Sequence, residues 1–229
     1  MGLKESGLRG SLRSVSTGVT AIPDSGLVQD FNAQDTGTVT VNGTVTQWDD
    51  QSGNDYHLTG DASDLVSDGI NGNPSVLFDG VDDRLTATDE ATSLPFELFA
   101  VVEMQTTPDG HQIFIDGETD RAVMADDNGD WEAFAGDSSF FAGSPDTDPH
   151  ILHWIYESDS LTIREDDITL GSDETASNDL HDLSMGADLT GDRNAHILFG
   201  RLLRYNRLLD ADERDRVHTG LSSEWGISI

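Results

Sequence analysis

The most regular pattern of apolar and polar positions lies between residues 38 and 46. Thr38–Val41 and Thr44–Thr46 alternate polar and apolar side chains with a period of two, which is typical of a strand with one buried face. Asn42-Gly43 stands between the two runs, and this dipeptide favours a tight hairpin turn because both residues tolerate positive φ. The segment therefore predicts two antiparallel strands joined at Asn42-Gly43.

Short apolar runs continue along the chain, separated by turn-forming Gly, Asp, Asn and Pro. Glu157–Ser160 links two of these runs as a second predicted hairpin. Many short strands at this spacing are typical of a β-sandwich or jelly roll. The predicted strands are Leu27–Phe31, Ser75–Phe78, Leu98–Glu103, Gln112–Ile115, Ala122–Ala125, Trp131–Phe134, Ile151–Glu157, Ser160–Arg164 and Ile197–Tyr205.

One helix is predicted near the end of the chain. Asp210 can accept a hydrogen bond from the first turn, and Glu213 stands at the position of its capping-box partner. Val217, Leu221 and Trp225 then follow at intervals of four, which places them on one apolar face. Gly226 is expected to end the helix, and we expect that helix to lie across the sandwich.

The charge of the chain is extreme. Its 229 residues carry 44 acidic side chains and a single lysine, Lys4, for a net charge of −32. The Debye length is about 8 Å at physiological salt and about 3 Å at 1 M, so such a domain repels itself much less in brine. We therefore expect a protein that works in molar salt; a calcium-rich secreted protein or a merely acidic, solvated surface is the alternative.

The charge is also distributed unevenly. Residues 1–23 carry Lys4, Arg9 and Arg13 against Glu5 alone, whereas residues 24–229 carry 9 basic and 43 acidic side chains. The first segment also has spaced glycines and leucines, which indicates an extended arm. We therefore predict two parts, an anchoring arm over 1–23 and one β domain over 24–229. A frayed terminus without function is the alternative for the arm.

Composition excludes several classes of protein. The chain has no cysteine, so neither a disulfide nor a thiolate is available. The longest apolar run, Leu98–Val102, is far shorter than the roughly 20 residues that span a bilayer. Met1–Glu5 lacks the apolar region of a secretory signal peptide, and we expect no membrane span.

Three stretches together resemble a known family: Trp48–Asp55, Asn73–Leu85, and Gly200–Asp210 followed by Leu221–Ile227. Their order and spacing are similar to those of laminin-G-like, concanavalin A-like jelly-roll domains, over roughly residues 24–229. The resemblance implies an all-β sandwich of two antiparallel sheets with one short C-terminal helix. It implies no single activity, because such domains serve as lectins, adhesion modules, enzymes and inert spacers.

The first segment has a resemblance of its own. The run from Glu5 to Ser16 is similar to the N-termini of structural proteins of haloarchaeal tailed viruses, where it precedes otherwise different domains. This resemblance implies a peptide that attaches the domain to a capsid or tail protein. Adhesion in molar salt would depend mainly on apolar contacts and backbone pairing, since charges are screened. The candidate anchoring residues are Leu3, Lys4, Leu8, Arg9, Leu12 and Arg13.

Oxygen ligands for Ca²⁺ are concentrated in two predicted loops. Asp49, Asp50, Asn54 and Asp55 form the first candidate set, and Asp79, Asp82 and Asp83 form a second. Neither loop has a complete calcium-binding pattern. Turns in which Asp and Asn side chains bond their own backbone are the alternative, so Ca²⁺ is only a possible ligand and no other cofactor is expected.

Aromatic residues near polar loops are candidates for carbohydrate binding. Trp131, Phe140 and Phe141 lie close to Asp- and Gly-rich segments, with packing in the core as the alternative. Five arginines cluster late in the chain, and we expect them to pair with carboxylates of the same chain, with binding to a neighbouring subunit as the alternative. They are Arg201, Arg204, Arg207, Arg214 and Arg216.

Enzymatic motifs are lacking. Hydrolases of the resembled superfamily carry a Glu-x-Asp-x-x-Glu strand motif, which this chain does not contain. We therefore predict a non-enzymatic virion structural protein of a haloarchaeal tailed virus, assembled in the host cytoplasm as a capsid decoration, turret or tail-fibre module. Symmetric homo-oligomers are expected, and nucleic-acid binding is not, because the acidic body repels phosphate. The alternative is a carbohydrate-binding adhesin that recognises surface glycans.

Overall fold

The computed structural model describes residues 21–89, 92–107, 110–117, 121–125, 129–135, 139–173 and 179–229. These residues form two sheets, with 8 strands in sheet A and 9 in sheet B, together with one helix, α1 (Ala211–Trp225). Every strand pairing between them is antiparallel. The prediction of an all-β sandwich of two antiparallel sheets with one C-terminal helix is therefore confirmed.

Sheet A has β1 (Leu27–Asn32) beside β17 and otherwise runs in the order β15 (Ile168–Asp173), β14 (Leu161–Glu165), β13 (Pro149–Tyr156), β8 (Phe96–Met104), β17 (His196–Tyr205), β6 (Ser75–Asp79) and β5 (Asp64–Val66). Sheet B runs in the order β12 (Ser139–Ala142), β11 (Trp131–Ala135), β10 (Arg121–Ala125), β9 (Gln112–Gly117), β16 (Ser184–Met185), β7 (Arg84–Thr86), β4 (Leu58–Ala62), β3 (Thr44–Trp48) and β2 (Val39–Asn42). Strands distant in sequence are neighbours in both sheets, as in a jelly roll.

The core lies between the two sheets and is rich in aromatic side chains. The ring of Phe114 in sheet B lies 6.1 Å from that of Trp131 and reaches across to Trp154 and Phe199 of sheet A, at 6.0 and 6.1 Å. These rings meet edge-on or tilted, the arrangement that aromatic pairs prefer. Alternate residues of the strands supply this layer, which explains the period-two pattern in the sequence.

The helix α1 covers the outer face of sheet A. Val217, Leu221 and Trp225 are all fully buried, as their spacing predicts. The ring of Trp225 lies so close to β17 that a Cβ atom at Gly200 would come within 2.6 Å of it, so this position requires glycine. Because the helix covers one face and sheet B the other, β8 is buried along almost its whole length.

The local signals read from the sequence are confirmed at both ends of α1 and at the hairpins. The Asp210 side chain accepts from the Glu213 backbone N–H, the Glu213 side chain accepts from the Asp210 N–H, and Gly226 ends the helix at φ +67°. β2 and β3 form the hairpin at Asn42-Gly43, with φ +87° at Gly43. β13 and β14 form the second hairpin.

The anchoring residues predicted in the arm, Leu3 to Arg13, lie outside the described residues. The end of the predicted arm contacts the body: Ile22 packs against the core, and the Tyr205 hydroxyl donates to the carbonyl of Pro23 at 2.8 Å. Among the described residues, Ile22 and Pro23 therefore already contact the domain ahead of the predicted boundary at residue 24.

Candidate functional site

The loop that follows β3 covers the free edge of β1. Gln51 donates its backbone N–H to the carbonyl of Asp30 at 2.8 Å, and the Asn54 amide donates to the carbonyl of Val28 at 2.9 Å. Trp48 is fully buried at the start of the loop, 5.8 Å from the ring of Phe31 on β1. An open strand edge is a site of unwanted pairing, so this loop protects the sheet. The Trp48–Asp55 motif thus has a structural role in this chain.

Asp50 holds the loop together. Its carboxylate accepts from the backbone N–H groups of Asp30, Ser52 and Tyr56, at 3.0, 2.9 and 3.2 Å, and from the Ser52 hydroxyl at 2.8 Å. Asp50 is only 7% exposed, so its negative charge is compensated by these donors. Asp50 therefore forms a turn in which an Asp side chain bonds the nearby backbone, which is the alternative to Ca²⁺ binding given above for this loop.

The four residues of the first calcium set have separate environments. Asp49 accepts from the Gln47 amide at 2.5 Å, the Asn54 amide bonds the backbone, and Asp55 adopts φ +61°. Among the described residues, the group of side chains whose ligand atoms lie within 4.8 Å of one another is Asp79, Asp82 and Asp83, the second predicted set. There the carboxylate of Asp83 already accepts from Ser63 and from the Asp79 backbone.

Replacing Asp50 with alanine should lower the free energy of unfolding by about 2–3 kcal/mol, because it leaves one buried and two part-buried backbone N–H donors without an acceptor. Urea unfolding in molar KCl measures this change. The matched control is Asp49→Ala in the same loop, whose side chain is 38% exposed and accepts one bond, from Gln47. An equal loss in both variants would contradict the role assigned to Asp50.

The three aromatic candidates differ in exposure. Trp131 is fully buried and donates its indole N–H to Glu165 at 2.5 Å, so it packs in the core and offers no face to a ligand. Phe140 is half-buried and packs against the core, next to Gly171 of β15. Phe141, on the edge strand β12, is 43% exposed and is the candidate that presents its ring to solvent.

The five late arginines all pair with carboxylates of the same chain, which confirms the intramolecular prediction. Arg201 binds Asp30 through two bonds of 2.9 and 2.7 Å, and it also binds Glu224 on α1. Arg204 is fully buried and pairs with Asp89. The remaining pairs join Arg207 and Arg216 to Glu213, and Arg214 to Glu97.

A buried cluster of ionisable side chains lies between sheet A and α1. Glu97 of β8, His153 of β13 and His218 of α1 are each 0% exposed. Nε2 of His153 lies 2.7 Å from Glu97, and Nδ1 of His153 lies 3.2 Å from Nε2 of His218. The ring of Phe99 stacks on His153 at 3.8 Å. The cluster therefore joins two strands and the helix through one chain of hydrogen bonds.

The order of donors along this chain follows from the carboxylate at its end. Glu97 accepts from His153 Nε2–H, so Nδ1 of a neutral His153 must accept from Nε2–H of His218. Nδ1 of His218 is then an acceptor, and it is buried without a partner among the described residues. Glu97 also accepts from the Leu209 backbone at 2.8 Å and from Arg214 at 2.6 Å. One carboxylate thus ties the start of the helix to the sheet.

Burial and neighbouring charges determine which of these groups ionise. Burial lowers the pKa of His153 to about 4, although the hydrogen bond to Glu97 and its charge act in the opposite direction. Burial also lowers the pKa of His218 to about 3, and the nearby His153, Arg164 and Arg214 contribute to this shift. Burial would raise the pKa of Glu97, but bonds from His153 and Arg214 outweigh it and lower that pKa. At neutral pH the cluster therefore holds one carboxylate and two neutral imidazoles.

Acidification should destabilise the domain through these two histidines. Below about pH 6.5 the unfolded chain protonates them, while the folded chain keeps them neutral until about pH 4 and 3. The two histidines together should therefore lower the free energy of unfolding by about 4 kcal/mol between pH 7.5 and pH 5, as measured by urea unfolding at each pH. His218→Gln should reduce this pH dependence, and a constant value across the interval would contradict the assignment.

A third histidine, His150, has a pKa that is raised instead of lowered. His150 lies between two carboxylates, with Nδ1 2.8 Å from Asp166 and Nε2 3.0 Å from Asp146. Burial would lower its pKa, but these two bonds raise the pKa of His150 to about 9. His150 is therefore a cation at neutral pH that fixes the end of β13 against the turn between β14 and β15.

Local sequence patterns do not predict that Glu97 and His218 meet, because the two residues are 121 positions apart. A signal was nevertheless present. Glu97 interrupts an otherwise apolar run in β8, and His153 does the same in β13. A polar residue inside a buried strand requires a partner, which makes such positions candidates for a buried network.

Clefts on the surface of the described residues differ in the side chains that line them. One of about 470 Å³ lies beside the loop that covers β1 and is lined by Leu27, Val28, Asn54, Tyr56, Thr92, Ser93, Leu94 and Asn206. Another of about 520 Å³ is lined by Asp159, Ser160, Ser172 and Asp173. The third, of about 360 Å³, includes Asp79, His111, Asp192 and Arg193.

The helix of the described chain is not long and apolar enough to cross a membrane.

Solved structures with the same fold include enzymes and binding domains. Trypanosoma rangeli sialidase superposes with a TM-score of 0.68 at 17% identity, over 91% of this chain but only 34% of the sialidase. The binding domain of Paraclostridial Mosquitocidal Protein 1 has a TM-score of 0.64 at 10% identity, over 85% of this chain and 52% of that one. The receptor binding domain of botulinum neurotoxin C/D mosaic serotype gives 0.66 at 9%, over 86% and 52%.

No protein-family model and no curated protein matches the sequence. At these identities the structural likeness concerns the fold alone. The chain spans about a third of the sialidase and about half of each toxin domain.

Proposed function

We propose that the described domain is a non-catalytic recognition module that binds carbohydrate on a surface exposed to brine. The observation that carries its non-catalytic part is the complete burial of the cluster formed by Glu97, His153 and His218. His153 and His218 lie beneath α1 with no exposed surface, and a substrate has no access to them. Catalytic acids and bases must reach a substrate, so these groups serve the fold.

The similar structures are consistent with recognition. Two of them are described as a binding domain and a receptor binding domain, and a third, the sialidase, has been captured with sialic acid. The open clefts are shallow and polar, which suits the weak, multiple contacts of glycan binding. Several copies on one particle or cell would convert weak single contacts into firm attachment.

A glycan array in molar KCl tests this function. The fluorescently labelled domain should bind a subset of oligosaccharides, and free oligosaccharide of the same kind should compete. Incubation with the bound glycan should release no product. Failure to bind any carbohydrate, or turnover that is lost on changing one carboxylate, would overturn the proposal.

A second candidate is the virion role, and the first segment of the chain favours it. Residues 1–23 are basic and leucine-spaced, and they resemble attachment peptides of haloarchaeal tailed viruses, whereas the remaining chain is strongly acidic. In this proposal the segment anchors the domain to a capsid or tail protein, and the domain projects as a decoration, turret or fibre in several symmetric copies. A glycan receptor would then belong to the host surface.

Deleting residues 2–16 tests the anchoring. The shortened chain should fold, with the same melting temperature in molar KCl, but should be absent from purified particles. Exchange of Leu3, Leu8 and Leu12 for serine should have a similar effect, and exchange of Ser6, Ser11 and Ser14 for alanine is the control. Normal incorporation of the deletion variant would contradict the virion role without touching the carbohydrate proposal.

A further inference from the structure

The cleft beside β1 has an unusual composition for this chain. None of its eight lining residues is charged, whereas 24% of all residues are, so a random set of eight would hold about two. The other two clefts each contain at least two carboxylates. The described lining of this cleft is therefore uncharged, and beside it the Asp179 carboxylate accepts from the Ser93 hydroxyl and from the Leu94 backbone N–H, both at 3.2 Å.

The lining side chains have the chemistry that uncharged sugars require. Tyr56 offers an aromatic ring for the C–H face of a pyranose. The Asn206 amide can donate to and accept from neighbouring hydroxyls, and the Asn54 amide oxygen can accept from one. Ser93 adds a hydroxyl. The surface of the cleft is mostly polar, with Leu27, Val28 and Leu94 as its apolar members, and polar groups that fix orientation are usual in a small-molecule site.

The walls of this cleft are fixed before any ligand arrives. The Asn54 amide nitrogen donates to Val28 O at 2.9 Å, which leaves the amide oxygen to accept from a ligand, and the Tyr56 backbone is held by Asp50. On the opposite wall, Thr92 pairs with Leu180 through backbone bonds of 2.7 and 3.0 Å. A preorganised site avoids the entropic cost of ordering loops on binding.

No cation faces the cleft within the described chain. Arg204 donates to the Thr92 hydroxyl at 2.6 Å, but it is 0% exposed and its charge is already paired with Asp89. An anionic sugar such as sialic acid would therefore meet no positive partner here, and it would approach a strongly acidic surface. A neutral saccharide meets neither penalty.

We infer that the cleft lined by Asn54, Tyr56, Ser93 and Asn206 is the carbohydrate site and that it takes an uncharged pyranose rather than an acidic sugar. This inference rests on the proposed function and specifies its ligand class and its location. Tyr56 stacks on the sugar ring, and Asn54 and Asn206 bond its hydroxyls from opposite sides of the ring edge.

Binding of matched neutral and acidic glycans tests the inference. The probes are galactose-, glucose- and mannose-terminated oligosaccharides, together with the sialylated form of the galactose-terminated one, titrated in molar KCl. At least one neutral probe should bind, and sialylation should weaken binding at least tenfold. Tyr56→Ala and Asn206→Ala should each weaken binding of the neutral probe at least fivefold, with unchanged melting temperatures.

Phe141→Ala and Ser172→Ala are the controls. Phe141 is an exposed aromatic outside the cleft, and Ser172 lines an acidic cleft, so both variants should bind like the parent chain. Loss of binding in a control variant but not in Tyr56→Ala would place the site elsewhere and overturn the inference, while the carbohydrate function would stand. Preference for the sialylated probe would also overturn the inference alone. Absence of binding to any saccharide would reject the proposed function itself.

Discussion

Replacing Glu97 with alanine should lower the free energy of unfolding by about 3–5 kcal/mol, the usual loss when one partner of a buried ion pair is removed. Its carboxylate, which is 0% exposed, accepts from His153 at 2.7 Å, from Leu209 N–H at 2.8 Å and from Arg214 at 2.6 Å. The substitution leaves a guanidinium, an imidazole N–H and a backbone N–H without an acceptor. A loss of this size is comparable to the whole stability of a small domain.

Urea unfolding in molar KCl measures this loss, and Glu103→Ala is the matched control. Glu103 lies in the same strand, is half-buried, and accepts from Gln105 alone. Its removal should cost less than about 1 kcal/mol. Similar losses in the two variants would show that the buried cluster contributes little. Helix α1 should exchange its amide protons faster in Glu97→Ala, because Leu209 and Arg214 at its start lose their anchor.

Lowering the salt concentration should have the second large effect. Two carboxylates 10 Å apart repel by about 0.4 kcal/mol in unscreened water, and screening reduces this to about 0.15 kcal/mol at 0.1 M salt and about 0.015 kcal/mol at 1 M. A net charge of −32 multiplies this small difference over many pairs. We expect a fall in melting temperature of more than 20 °C between molar and 0.1 M KCl, with unfolding at room temperature as the limit.

Calorimetry across a KCl series checks this expectation. Replacing KCl with an equal osmolarity of sucrose separates screening from general exclusion of solute, since sucrose carries no charge. Sucrose alone should not restore the melting temperature that the domain has in molar KCl. A melting temperature that is independent of salt would remove the basis for a protein adapted to brine.

Much of the fold could be predicted because its signals are local. The turn at Asn42-Gly43 and the Asp210–Glu213 capping box each depend on a few adjacent residues, and both were found where expected. Long apolar strands such as β8 and β17 were also evident. In these cases backbone preference and burial point to the same structure.

The strands that the sequence did not reveal are short or exposed. β15 has four exposed residues out of six, and β4 contains Gly60 and Asp61, so neither has the apolar alternation of a half-buried strand. They exist because a neighbouring strand supplies hydrogen-bond partners, which is a tertiary effect. The same holds for β16, with 2 residues.

The candidate site was only partly predictable for the same reason. The Trp48–Asp55 motif was recognised, but its role in covering the edge of β1 depends on a strand 20 residues earlier. The cleft joins residues from four separate parts of the chain. Asn54 and Asn206 lie in stretches that carry the family resemblance, but no local pattern indicates that these parts meet. Nearby polar residues in the sequence predict that Trp131 binds a ligand, but in the structure its side chain is buried in the core.

The contacts at Ile22 and Pro23 have a mechanical consequence. Tension applied at Ala21 would reach the domain at Ile22, which packs on the core, and at Pro23, whose carbonyl is held by Tyr205 on a central strand of sheet A. Ile22 lies beside Gly220, so part of the same load would pass to α1. A domain tethered in this way bears force at a central strand, where neighbouring strands share the load, and an edge strand is not the first to be pulled from the sheet.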